Sequence, residues 1–114
     1  MAEKHYYMAC LDLEGRSVLV VGGGRSALDR VGGLLDAGAD VTLVAPRIRD
    51  ELRSLRLTLV EREYEPGDLV DRYLVVAATE LEELNAAVAG DAAARSLLCN
   101  VVDDPAKCTV ILPA

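Results

Sequence analysis

Three consecutive glycines, Gly22, Gly23 and Gly24, followed by Arg25, Ser26 and Ala27, are where residue type and spacing point most directly to chemistry. The spacing Gly22, Gly24, Ala27 fits G-x-G-x-x-G/A, in which glycines let the backbone turn tightly and come into contact with a pyrophosphate. Glycine-rich turns occur in many folds, so context decides. Here Ser17 to Val21 is an apolar, β-branched run, and Leu28 to Ala37 reads as the helix that follows, its free N–H groups and dipole facing the phosphates. The pattern predicts a dinucleotide held against Gly22 to Ser26. A second candidate is Asp103, at the end of the apolar run Leu97 to Val102. In a doubly wound sheet the reactive end of a dinucleotide lies beyond the carboxyl ends of the strands, so a carboxylate there can touch substrate. An Asp before Asp104-Pro105 is also an ordinary turn and cap residue, and the residues alone favour the turn.

Strand and helix patterns alternate along the whole chain. Gly38 stands where a C-cap glycine belongs, and Asp40 to Val44 reads as a second strand that stops at Ala45-Pro46. Arg49 to Leu55 predicts a short helix, Leu57 to Val60 a third strand, and Glu65 to Asp71 a connection opened by Pro66-Gly67. Tyr73 to Ala77 is a fourth strand, Leu81 to Ala94 a helix, Leu97 to Val102 a fifth strand and Thr109 to Leu112 a short sixth. Continuous apolar runs mark strands buried on both faces. The expectation is therefore an α/β fold in three layers, a Rossmann-like doubly wound and mostly parallel sheet of order 3-2-1-4-5, with residues 1–114 as one domain.

Composition excludes several classes of function. Nineteen acidic against twelve basic residues give a net charge of -7, which disfavours a nucleic-acid or anionic-membrane partner. No apolar stretch approaches the roughly 20 residues of a membrane span, and Met1 to His5 lack a signal-peptide core, so a cytoplasmic protein is expected. Cys10, Cys99 and Cys108 show no C-x-x-C spacing and only His5 could join them at a metal, so they read as buried free thiols and no metal site is expected.

Four blocks in order resemble one family. Met8 to Gly24, Asp36 to Pro46, Tyr73 to Thr79 followed by Asn85, and Cys99-Asn-Val-Val-Asp-Asp-Pro105 with Cys108 and Ile111 to Ala114 are similar to the siroheme synthase N-terminal domain, or precorrin-2 dehydrogenase, family. Its members oxidise precorrin-2 to sirohydrochlorin with NAD, and some also act as sirohydrochlorin ferrochelatases. The resemblance implies the first activity more firmly than the second. It makes Asp103 the counterpart of the family's proposed catalytic aspartate and Asp104 only its neighbour, and it places Thr79 beside the cofactor. Aromatising a reduced tetrapyrrole sends a hydride to nicotinamide and a proton to a base. A carboxylate in a partly desolvated crevice, its proton affinity raised, can take that proton.

The chain departs from common dinucleotide sites at the second strand, which ends Val44-Ala45-Pro46-Arg47 without the acid that holds the ribose hydroxyls. The family tends to lack it too and to hold adenosine near the Ala-Pro turn, which gives Pro46 and Arg47 that role. Arg47 or Arg49 could instead meet a 2′-phosphate, leaving NADP as the second choice of cofactor behind NAD. Asp29 and Arg30 stand where the family often has Arg-Lys. Family members continue past the position of Pro113-Ala114 into dimerisation and substrate regions. The chain is thus expected to be the cofactor half of a homodimeric enzyme, with the tetrapyrrole docking on basic residues from elsewhere. A dinucleotide-sensing module and a nucleotide-binding interaction domain without catalysis are the alternatives.

Overall fold

Ser17–Val21 (β1), Asp40–Val44 (β2), Thr58–Val60 (β3), Leu74–Ala77 (β4) and Leu98–Val101 (β5) form one sheet of order β3-β2-β1-β4-β5, every pairing parallel. The computed structural model describes residues 4–112; Met1–Glu3, the start of the segment read for a signal peptide, and Pro113–Ala114, the end of the last family-like block, lie outside the described residues. Among the described residues three α-helices complete it, Arg25–Asp36 (α1), Asp50–Arg53 (α2) and Glu82–Ala94 (α3), with 3-10 turns at Pro66–Leu69 and Pro105–Lys107.

Side-chain alternation along each buried strand feeds two separate cores. Val18 and Val20 of β1 pack with Val41, Leu43, Leu74 and Val76 beneath Ala27, Val31 and Leu34 of α1 and Leu52 of α2. Leu19 and Val21 point the other way, joining Val75, Ala77, Cys99 and Val101 beneath Val88 and Ala92 of α3. This is the three-layer arrangement expected from apolar runs. Burying a valine or leucine fully is worth about 1.5–3 kcal/mol, so β1, whose Val18, Leu19 and Val20 are wholly inaccessible, is held firmly beside β4, inaccessible from Leu74 to Ala77. It fixes the loop that follows it.

Two elements differ from the sequence reading in ways that bear on function. The first helix begins at Arg25, directly after the glycines and a turn before Leu28, because Ala27 is buried in the core and draws the first turn onto the sheet. The sixth strand at Thr109–Leu112 does not form. There the exposed edge of β5 is closed by side chains and backbone together: the Cys99 N–H donates to the Thr109 hydroxyl (2.8 Å), the Val101 N–H to Cys108 Sγ (3.1 Å) and Asn100 Nδ2 to the Val110 carbonyl (3.0 Å), while the Cys99 carbonyl accepts from the Thr109 and Val110 N–H groups (2.8 and 3.2 Å). With those donors satisfied, a further ladder has nothing to pair with. Of the three thiols Cys99 and Cys108 are buried as expected, whereas Cys10 is exposed. Among the described residues no helix is long and apolar enough to cross a membrane.

Candidate functional site

Beyond the carboxyl ends of β1, β2 and β4 lies a cavity of about 660 Å³. Gly22–Ser26, Pro46, Arg47 and Thr79, all expected at the cofactor, line it together.

Its floor is built by close approach of backbone to backbone. The Gly22 N–H donates to the Val44 carbonyl (3.0 Å), the Arg49 N–H to the Gly23 carbonyl (2.9 Å) and the Ala78 N–H to the Val21 carbonyl (2.8 Å), which locks the loops after β1, β2 and β4 to one another. Gly22 has φ +133°, and a Cβ there would collide with the Ala78 carbonyl; a Cβ on Gly23 would collide with the Arg47 carbonyl. Gly24 is different. It is the N-cap of α1, and apart from its chain neighbours no atom lies within 4 Å of where its Cβ would stand. The first helical hydrogen bond is Leu28 N–H to Gly24 carbonyl (3.1 Å), so the amides of Arg25, Ser26 and Ala27 have no acceptor within the helix. The first turn of α1 contains no acidic residue. Open space at Gly24, partial positive charge behind it and the cations Arg25 and Arg47 in the lining fit a pyrophosphate.

Thr79, after β4, is held by Asn85 of α3, itself buried. Asn85 Oδ1 accepts from the Thr79 hydroxyl (2.6 Å) and N–H (3.2 Å), and Asn85 Nδ2 donates to the Thr79 carbonyl (3.0 Å). Asn85 thereby sets the wall beside the glycine turn. Arg47 is exposed and its guanidinium has no partner among the described residues, whereas the Arg49 guanidinium is bound to Glu51 (2.9 Å) and stands outside the lining. Of the two arginines suggested for a 2′-phosphate, only Arg47 is in position.

The rest of the lining was not foreseen. It includes Glu63 and Tyr64 after β3, and Glu80, Leu81 and Leu84 after β4. The Tyr64 hydroxyl donates to Asp91 of α3 (2.8 Å), and burial together with that carboxylate pushes the phenol well above its ordinary range. Their signal lies in the pairing of β3 with β2, which carries the loop after β3 to the cleft.

Asp103 stands at the same end of the sheet but outside the cleft lining, two residues past β5, which stops at Val101. The Val102 N–H still donates to the Ala77 carbonyl (3.0 Å), and Asp103 then adopts φ +62°, a left-handed turn position. It is exposed rather than set in a crevice formed by this domain, and its carboxylate has no partner among the described residues. Asp104 is engaged: its carboxylate binds Lys107 at 2.6 Å. Among the described residues no group of three or more His, Cys, Asp or Glu could hold a metal ion.

Residues 9–114 match the model of a protein family described as "Putative NAD(P)-binding". The chain is 50% identical over 106 residues to a siroheme synthase of Pseudomonas aeruginosa, and 45% identical over 104 residues to that of Tolumonas auensis. The first alignment covers 90% of this chain and 23% of the relative, so the chain spans about a quarter of that protein's length. A solved structure of SirC, a precorrin-2 dehydrogenase, superposes with a TM-score of 0.82 at 32% identity, over 96% of this chain and 55% of that one.

Proposed function

The chain belongs to this NAD(P)-binding family, and from that premise we propose that residues 1–114 are the dinucleotide-binding domain of a cytoplasmic enzyme that oxidises precorrin-2 to sirohydrochlorin with NAD. The observation that carries the proposal is the union, at one end of the sheet, of open space at Gly24 with an unpaired carboxylate at Asp103. The names of the relatives and of the solved neighbour support the choice of substrate.

In this reading the glycine turn and the first turn of α1 hold the pyrophosphate, and Pro46 and Arg47 flank the adenosine. Thr79, fixed by Asn85, limits how far the dinucleotide can slide across the sheet. Bound NAD supplies hydride acceptance. The proton lost with that hydride passes to a carboxylate oxygen of Asp103, which has no competing cation, while Asp104 is neutralised by Lys107. Two hydrogens leave the tetrapyrrole, one as hydride and one as proton, so electrons and charge balance. Precorrin-2 is a polycarboxylate and this domain carries a net charge of -7. We therefore assign substrate docking, the closing of a crevice over Asp103 and homodimer contacts to segments outside the domain.

The test is to supply precorrin-2 and NAD to the protein in its full-length context and follow sirohydrochlorin absorbance. Turnover with NAD supports the proposal. Tight NAD binding without turnover would instead favour a sensing module.

A further inference from the structure

We propose that Glu63 selects NAD over NADP, its carboxylate accepting the ribose hydroxyls in place of the acid missing from the end of β2. The inference rests on the reading of the cleft as a dinucleotide site.

Strand pairing puts Glu63 where such an acid is needed. Val44 of β2 pairs with Val60 of β3 in a parallel register and both strands end there; three residues on along the chain stand Arg47 and Glu63, both of which line the cavity. The Ala45 N–H donates to the Val60 carbonyl (3.2 Å), which keeps the two loops side by side as they leave the sheet. The chain turns directly after Val60, whose carbonyl also accepts from the Arg62 N–H (3.1 Å), so it is their common place in the lining, and not a continued ladder, that brings Glu63 and Arg47 to one cleft.

Charge pairing then singles Glu63 out. Of the acids after β3, Glu61 is bound by Arg53 (2.7 Å), and Glu65 and Asp68 by Arg62 (3.2 and 2.6 Å). Arg62 also donates to the Glu63 carbonyl (2.9 Å), fixing its backbone while leaving its carboxylate unpaired among the described residues. The cleft's other unpaired carboxylate, Glu80, follows β4, on the far side of β1 from β2. Glu63 is therefore the acceptor on the adenosine side. A carboxylate there accepts from a 2′-hydroxyl and repels a 2′-phosphate, whereas Arg47 would attract that phosphate.

The experiment is calorimetric titration with NAD and with NADP, at one ionic strength, of the wild type, Glu63→Gln and the double variant Glu63→Gln, Arg47→Ala. Glu63 is exposed, so the substitution should leave the melting temperature within a degree or two. The wild type should prefer NAD. Glu63→Gln should weaken NAD by roughly tenfold and strengthen NADP, collapsing the preference by at least about tenfold, and the added Arg47→Ala should remove the gain in NADP. If both dinucleotides bind and Glu63→Gln leaves their ratio unchanged, the role of Glu63 is wrong while the cleft stands. If the wild type binds neither, both are wrong.

Discussion

The glycines of the turn do three separate jobs, and substituting them one at a time should separate folding from binding. Gly22→Ala drives a Cβ into the Ala78 carbonyl at a residue with φ +133°. Overpacking against backbone costs about 1–3 kcal/mol and a left-handed conformation about 1–2 kcal/mol, a total of roughly 2–5 kcal/mol. For a domain of 114 residues, unfolding entropy near 2.1 cal/mol/K per residue makes each kcal/mol worth about 4 °C. Gly22→Ala should then melt roughly 8–20 °C below the wild type. Gly23→Ala meets the Arg47 carbonyl without the positive φ, and should fall by roughly 4–12 °C. Gly24→Thr meets open space at an N-cap, where threonine and glycine are about equally good, so it should melt within about 2–4 °C of the wild type. Its hydroxyl takes an amide of the first turn, and its methyl fills the approach to the others. Losing one charge-assisted hydrogen bond of about 1.5–3 kcal/mol weakens binding by about tenfold to a hundredfold. Differential scanning calorimetry and NAD titration on the same samples give both numbers. Unchanged NAD affinity in a folded Gly24→Thr protein would refute the placement of the pyrophosphate.

Asp103→Ala, in a full-length context, should abolish dehydrogenation while NAD affinity stays within about twofold, since the residue lies outside the cleft lining; Asp104→Ala should keep most activity, losing only a partly exposed pair with Lys107 worth up to about 1 kcal/mol. Equal losses in steady-state rate at both positions would make the segment a structural turn. Asn85→Ala removes a buried amide that bonds both backbone groups and the hydroxyl of Thr79, and should cost about 1–3 kcal/mol with a raised KM for NAD; if Asn85→Ser restores neither melting temperature nor KM in part, the clamp is not what positions Thr79. Burial first, and then the neighbouring Cys108, push the Cys99 thiol from 9.0 up to about 11. The folded state thus holds a proton that the unfolded state releases, so stability is intact below pH 9 and declines as pH rises from 9 through 11, by about 2–3 kcal/mol at most. Urea midpoints between pH 8 and 11 should fall less steeply for Cys99→Ala, and parallel slopes would exclude the thiol as the cause.

What the sequence made legible was local. β1 and β2 have the boundaries read from their valine-rich runs, because such runs, ended by glycine or by Ala-Pro, have no competing conformation. Glycine spacing located the cleft for the same reason: Gly22 to Ser26 are contiguous, and their place in its lining follows from one strand, one turn and one helix. Thr109 to Leu112 misled because its pattern suits a strand, and its Thr109 and Val110 N–H groups do reach the Cys99 carbonyl, while the edge N–H groups of β5 are taken by the Thr109 hydroxyl and the Cys108 sulfur, which periodicity does not record. Glu63 and Tyr64 escaped notice for a related reason. Their place in the cleft depends on β3 lying beside β2 with Val60 against Val44, a relation between segments sixteen positions apart and not a property of either. Once the order 3-2-1-4-5 is accepted, however, that relation becomes countable: residues equally far past paired positions leave the sheet together. Counting forward from Val44 and Val60 reaches a cation and an anion that share a cleft yet form no ion pair with each other among the described residues. Both side chains are exposed, so water solvates these charges when no ligand is bound; what the pair offers is discrimination, because a ribose that carries a phosphate and one that lacks it meet the anion and the cation differently.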